Sequence, residues 1–99
     1  MRVIAHKTLI DFYSASGNEK SKTGLEHWYM VAKSAEWNSF NDIRRDFPSA
    51  DYVGNQHYVF NISGNNFRLI VVVKFVPKTI LIRWVGRHSD YDKIDCKNI

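Results

Sequence analysis

The sequence predicts an α+β fold in the order β-α-α-(α)-β-β-β, with N-terminal helices packed on a small antiparallel sheet. Two observations predict it. Apolar residues recur at helical spacing through the first half of the chain. The second half turns to runs of branched and aromatic residues separated by turn formers. A third observation is the length: 99 residues read as a single domain spanning 1–99, because neither half could bury enough apolar surface to stand alone.

Arg2 to Ala5 reads as a short opening strand. From Thr8, the residues Leu9, Ile10, Phe12 and Tyr13 recur at helical spacing, and the run stops before Ser16-Gly17-Asn18. Glu19 to Lys22 is a polar connection. Leu25, Trp28, Tyr29, Ala32 and Ala35 then form one apolar stripe and predict the second helix. Ser39 is placed to cap a further short helix through Ile43 and Phe47, ended by Pro48. Phe47 to Asp51 reads as a loop.

Tyr58–Ile62 and Phe67–Val76 read as strands, and Ser63-Gly64-Asn65-Asn66 between them predicts a tight hairpin. Pro77-Lys78 marks a second turn before a strand from Thr79 to Val85. Leu69 to Val73 is apolar at every position, as a strand covered on both faces requires. In the tail, Ser89 and Asp92 stand at capping-box spacing before one turn of helix.

Composition narrows the function. The chain is 44% hydrophobic and 14% aromatic, which argues against disorder, and its formal net charge of +4 suits a polyanionic partner. No run approaches the ~18 apolar residues of a membrane span. The N-terminus lacks a secretory signal, and the lone Cys96 cannot close an intrachain disulfide, so a cytoplasmic setting is expected. His6, His27, His57 and His88 are scattered without ligand spacing, so no metal site or cofactor is expected. Phosphate-loop and dinucleotide motifs are absent.

A basic and aromatic set in the C-terminal half remains. Strand alternation places Arg68, Ile70, Val72 and Lys74 on one face, and gives Leu81, Arg83, Val85 and Arg87 a common parity. If Arg68 and Arg83 point the same way they form a two-guanidinium clamp for phosphate; the plain alternative is a pair of edge arginines bonded to nearby carboxylates. His88 and Tyr91 stand one helical turn apart. Cleaving RNA without a metal requires removing a 2′-hydroxyl proton, protonating a leaving 5′-oxygen and steadying phosphorane charge. Histidine and arginine provide those functions. A role for His57, at a strand start, competes with that of an idle strand-end histidine.

These residues carry a resemblance. His57-Tyr58-Val59-Phe60-Asn61-Ile62, Gly64-Asn65, Arg68-Leu69, Ile82-Arg83, His88 and Tyr91-Asp92 together resemble the HigB-type toxins of the RelE-like family. Leu25-Glu26-His27-Trp28-Tyr29, Ala35-Glu36-Trp37 and Phe47-Pro48-Ser49-Ala50-Asp51 extend the likeness along nearly the whole chain. The resemblance implies a RelE-like fold and the toxin half of a type II toxin–antitoxin pair. It implies a HigA-type helix-turn-helix antitoxin, with DNA met only through that partner. It also implies metal-independent cleavage of mRNA on translating ribosomes by 2′-hydroxyl attack. Position by position, Arg68 matches the arginine at the scissile phosphate, Arg83 the second basic strand position, and His88 with Tyr91 the C-terminal catalytic pair. His57, Lys74 and Arg87 are the further candidates for RNA contact, Arg87 standing where the family often has Thr. The alternative is a basic RNA- or ribosome-binding module that blocks translation without cutting.

Overall fold

A computed structural model describes the whole chain, Met1–Ile99. Strand β1 (Arg2–Ile4) leads into helix α1 (His6–Ser14), and a 3-10 turn (Glu19–Ser21) precedes α2 (Lys22–Ser34). A short α3 (Phe40–Asp46) follows, then β2 (Asp51–Gly54), β3 (His57–Ile62), β4 (Phe67–Lys74), β5 (Thr79–Arg87) and one turn of helix, α4 (His88–Tyr91).

The strands form one sheet in the order β1-β5-β4-β3-β2. The hairpins β3–β4 and β4–β5 are antiparallel, as local turns dictate. The sheet is nonetheless mixed, because β1 pairs with β5 in parallel (Arg2↔Thr79, Val3↔Ile80, Ile4↔Leu81). A parallel pairing needs a long crossover, and α1 through β4 supplies it. The segment expected as a loop through Asp51 opens into β2, which pairs antiparallel with β3 and edges the sheet.

The N-terminal helices cover one face of the sheet. Leu25, Trp28 and Ala32 from the α2 stripe are fully buried, and they join Leu9, Ile43, Phe60, Leu69, Val71 and Ile80 in one apolar cluster of 17 residues. Phe60 is its hub: Phe47 meets it edge-on at 5.2 Å and Trp28 at 5.5 Å between ring centres. Ser39 caps α3, its hydroxyl accepting from the Asp42 amide at 3.4 Å. Trp37 donates its indole N–H to Asp46 at 2.8 Å, tying the segment before α3 to that helix's end.

The opposite face is also covered, which explains the unbroken apolar run of β4. Val59 and Ile70 are register partners, buried yet outside the helix-side cluster, and Ile70 is paired on its other side with Trp84. Their cover is the tail after β5. The Tyr91 ring lies 6.4 Å from Trp84, the Lys97 carbonyl accepts from Asn55, and the Ile99 carbonyl accepts from Arg83. A Cβ at Gly86 would collide with the Trp84 indole, so glycine there lets that ring lie flat along the strand.

Candidate functional site

One open cleft of about 680 Å³ marks the surface. Three segments line it: Gly17, Glu19 and Lys20 from the connection after α1, Asn65–Phe67 from the β3–β4 hairpin, and Arg87–Ser89 at the β5–α4 junction. Each is a loop or strand end held on a rigid frame, the usual placement of binding groups.

Arg68 sits beside this cleft, on the face of the sheet away from the helices. It is register-paired with Asn61 and Gly86 and is only 8% exposed. Its Nη2 donates to Asn65 Oδ1 at 2.9 Å, and Nη1 donates to the carbonyls of Phe67 at 3.1 Å and Asn65 at 3.3 Å. All three acceptors are neutral. The ion pairs of the protein are His6–Glu26, Lys7–Asp11, Arg45–Asp42 and His88–Asp92, and none involves Arg68. Arg83 likewise bonds a main-chain oxygen, that of Ile99, at 3.1 Å. The carboxylate-paired alternative therefore does not describe Arg68. Burying an uncompensated guanidinium is costly, and Nε–H with one Nη2–H lacks a protein acceptor, so Arg68 offers a phosphate a preset fork.

His88 and Tyr91 share α4. The His88 amide donates to the Asn66 carbonyl at 3.0 Å, which fixes the start of the helix against the hairpin. His88 is among the residues lining the cleft; its Nδ1 is buried and unpartnered, while Nε2 lies 4.0 Å from the Asp92 carboxylate. Tyr91 places its ring 5.8 Å from the Arg68 guanidinium carbon, a cation–π approach, and donates its hydroxyl to Cys96 Sγ at 3.7 Å. Burial, reinforced by Cys96 and opposed by Arg68, pushes the Tyr91 phenol up to about 12. At neutral pH the phenol therefore keeps its proton.

The structure thus sets Tyr91 against Arg68 and anchors His88 on the hairpin through Asn66. It separates the others. β4 and β5 pair with a bulge that leaves Arg83 without a register partner: Ile70 faces Trp84 while Val71 faces Ile82. The common parity expected for Leu81, Arg83, Val85 and Arg87 is broken there. Val85 packs on the helix side, and Arg87 reaches the connection after α1, donating to Gly17 O and, at 3.3 Å, to Asn18 Oδ1. Arg83 is exposed and ties down the tail. His57 is 5% exposed rather than displayed at a strand end, its ring nitrogens facing the carbonyls of Asn55 at 2.7 Å and Ile99 at 3.2 Å. Lys74 is six residues from Arg68, roughly 20 Å along β4, beside Gln56. Sequence reasoning passed over Asn65, Asn66, Glu19 and Lys20, because a turn asparagine and a loop lysine look the same whether or not a cleft opens between them.

No three His, Cys, Asp or Glu side chains converge as metal ligands, and no helix is long and apolar enough to cross a membrane. Fold and site define a small basic α+β protein with an open, mostly polar cleft at one end of its sheet. Residues 21–94 match the HigB toxin model, described as the RelE-like toxic component of a toxin–antitoxin system. The chain is 32% identical over 95 residues to the mRNA interferase toxin HigB of Escherichia coli K12, covering 93% of this chain and 88% of that one. It is also 32% identical to the mRNA interferase HigB of Escherichia coli O6:H1 over 72 residues, 71% of this chain and 70% of the relative. The chain belongs to the HigB family of RelE-like toxins.

Proposed function

We propose that this protein is the toxin of a type II toxin–antitoxin pair and cleaves mRNA as a metal-independent endoribonuclease. The observation that carries the reading is Arg68, buried beside the cleft with no carboxylate to neutralise it. Its two open N–H groups bind the scissile phosphate and stabilise the charge that builds as the 2′-oxygen bonds to phosphorus. The 2′-hydroxyl gives up its proton, the P–O5′ bond breaks, and the 5′-oxygen takes a proton. A 2′,3′-cyclic phosphate and a 5′-hydroxyl end result. His88, in the cleft and half exposed, is the proton-transfer group. Tyr91, a neutral phenol, steadies the Arg68 guanidinium and offers its face to a base. Arg83 and Arg87 add positive charge along the path of the RNA.

The named relatives are mRNA interferases, and the family model describes a toxin with an antitoxin. We extend this to mRNA engaged on translating ribosomes, in the cytoplasm, and to a HigA-type antitoxin that reads DNA on behalf of the pair. The test is to map reporter mRNA ends in a cell-free translation reaction, wild type beside Arg68→Ala. New internal 5′-hydroxyl ends with wild type, reduced at least ~100-fold in the variant, are expected. Intact mRNA with arrested synthesis would instead make the protein a non-cleaving ribosome binder.

A further inference from the structure

A long guanidinium side chain with no carboxylate partner has to be aimed by something, and the β3–β4 turn is what touches it. Ser63 at φ 53° and Gly64 at φ 67° reverse the chain, and the Asn66 amide closes the turn on the Ser63 carbonyl at 3.4 Å. The turn then holds both halves of the site. Asn65 takes two of the three Arg68 hydrogen bonds, one on its carbonyl and one on its side chain, while the Asn66 carbonyl receives the His88 amide. The orientation of the Asn65 amide is settled by chemistry. A guanidinium only donates, so the atom 2.9 Å from Nη2 is the oxygen. The Asn65 Nδ2 is left without a protein partner on the cleft wall.

We infer that Asn65 is a positioning residue, its side-chain oxygen aiming Arg68 at the phosphate. Alanine would remove that acceptor and leave one edge of the guanidinium free to swing, while the carbonyl bonds keep it nearby. Aspartate would keep the acceptor in place but put a carboxylate against the guanidinium, neutralising the charge the phosphate needs. The inference rests on Arg68 being the phosphate-binding group, and the two ideas fail differently.

Single-turnover cleavage of a labelled mRNA on ribosomes, run for Asn65→Ala, Arg68→Ala and the double variant, separates them. Asn65→Ala is expected to slow cleavage roughly 10- to 100-fold, the range for losing one charge-assisted hydrogen bond. In the Arg68→Ala background the same change should cost less than about 2-fold, because a residue that acts through Arg68 has nothing left to aim. Additive losses would overturn the positioning role, as would full activity in Asn65→Ala beside a crippled Arg68→Ala. Full activity in Arg68→Ala would overturn the reading of Arg68 itself. Should Asn65→Ala lose its fold by thermal melting, Asn65→Ser decides the matter: serine suits the turn but its short side chain does not reach the guanidinium, and wild-type cleavage by it would sink the proposal.

Discussion

Val59 and Phe60 are adjacent on β3, both buried, and belong to different parts of the protein's work. Phe60 points to the helices and is packed by aromatic rings from α2 and the segments around α3. Val59 points the other way, into the row with Ile70 and Trp84 that lies beneath the C-terminal tail. The helix side is almost wholly apolar in the interior, Ser21 being its buried polar residue, and supplies stability. The tail side mixes Ile70 and Trp84 with Arg68 and Tyr91. Burial alone therefore does not distinguish scaffold from function here; the neighbours of each buried group do.

The sharpest way to break this division is on the helix side. Phe60→Ala should lower the unfolding free energy by about 3–5 kcal/mol in urea titrations, the cost of a large core cavity. Cleavage per folded molecule should stay unchanged; a loss there would mean the two faces are coupled. On the tail side Arg68→Ala should do the reverse, losing at least ~100-fold in cleavage with a smaller shift in the urea midpoint than Phe60→Ala. Removing the α3 cap by Ser39→Ala should cost about 1 kcal/mol of stability and nothing in activity.

Alkaline titration sharpens the comparison further. The phenol of Tyr91 is raised above its ordinary value of 10.0 to about 12. The folded protein therefore holds that proton after the unfolded chain has lost it. The associated stability is intact below pH ~10 and is lost as pH rises towards ~12. Melting temperatures should fall through that window, and Tyr91→Phe should flatten the fall. Tyr58 on the helix side and Tyr13 between α1 and α2 are raised as well, Tyr58 mainly by burial and Tyr13 mainly by its bond to Glu26, so some slope should persist. The smallest effect is expected at Lys74. It lies about two Debye lengths from Arg68 at physiological salt, so Lys74→Ala should change cleavage by less than about 2-fold.

Much of this was legible in the residues. The stripe Leu25, Trp28, Ala32 needs only the helical period to be read, and all three are buried. The hairpin through Ser63–Asn66 and the double-sided cover of Leu69–Val73 follow from turn chemistry and an unbroken apolar run. Ser39 announced its helix. Arg68, His88 and Tyr91 stand out by residue type and spacing, and the fold sets the Tyr91 ring against the Arg68 guanidinium. Other features were not legible. β2 is four residues of no marked β pattern, stabilised by pairing with β3 rather than by its own preference. The Arg83 bulge inverts the facing of everything after it, and nothing in Ile82-Arg83-Trp84 signals an extra residue. His57 looked like an exposed strand end and proved to be buried beside the Ile99 carbonyl.

The sequence by itself determined the α+β class, the helices, the hairpins and the residue types available for chemistry. Those depend on periodicity and turn preference, which act over a few neighbouring residues. Tertiary structure alone decided the parallel pairing of β1 with β5, the bulge and the docking of the tail. Each rests on contacts between residues distant in the chain, or on a register that shifts every later side chain to the other face when it slips by one. Arg68 could be named from the letters. That it is buried without a carboxylate, bonded to Asn65 and faced by Tyr91, is a property of the folded sheet.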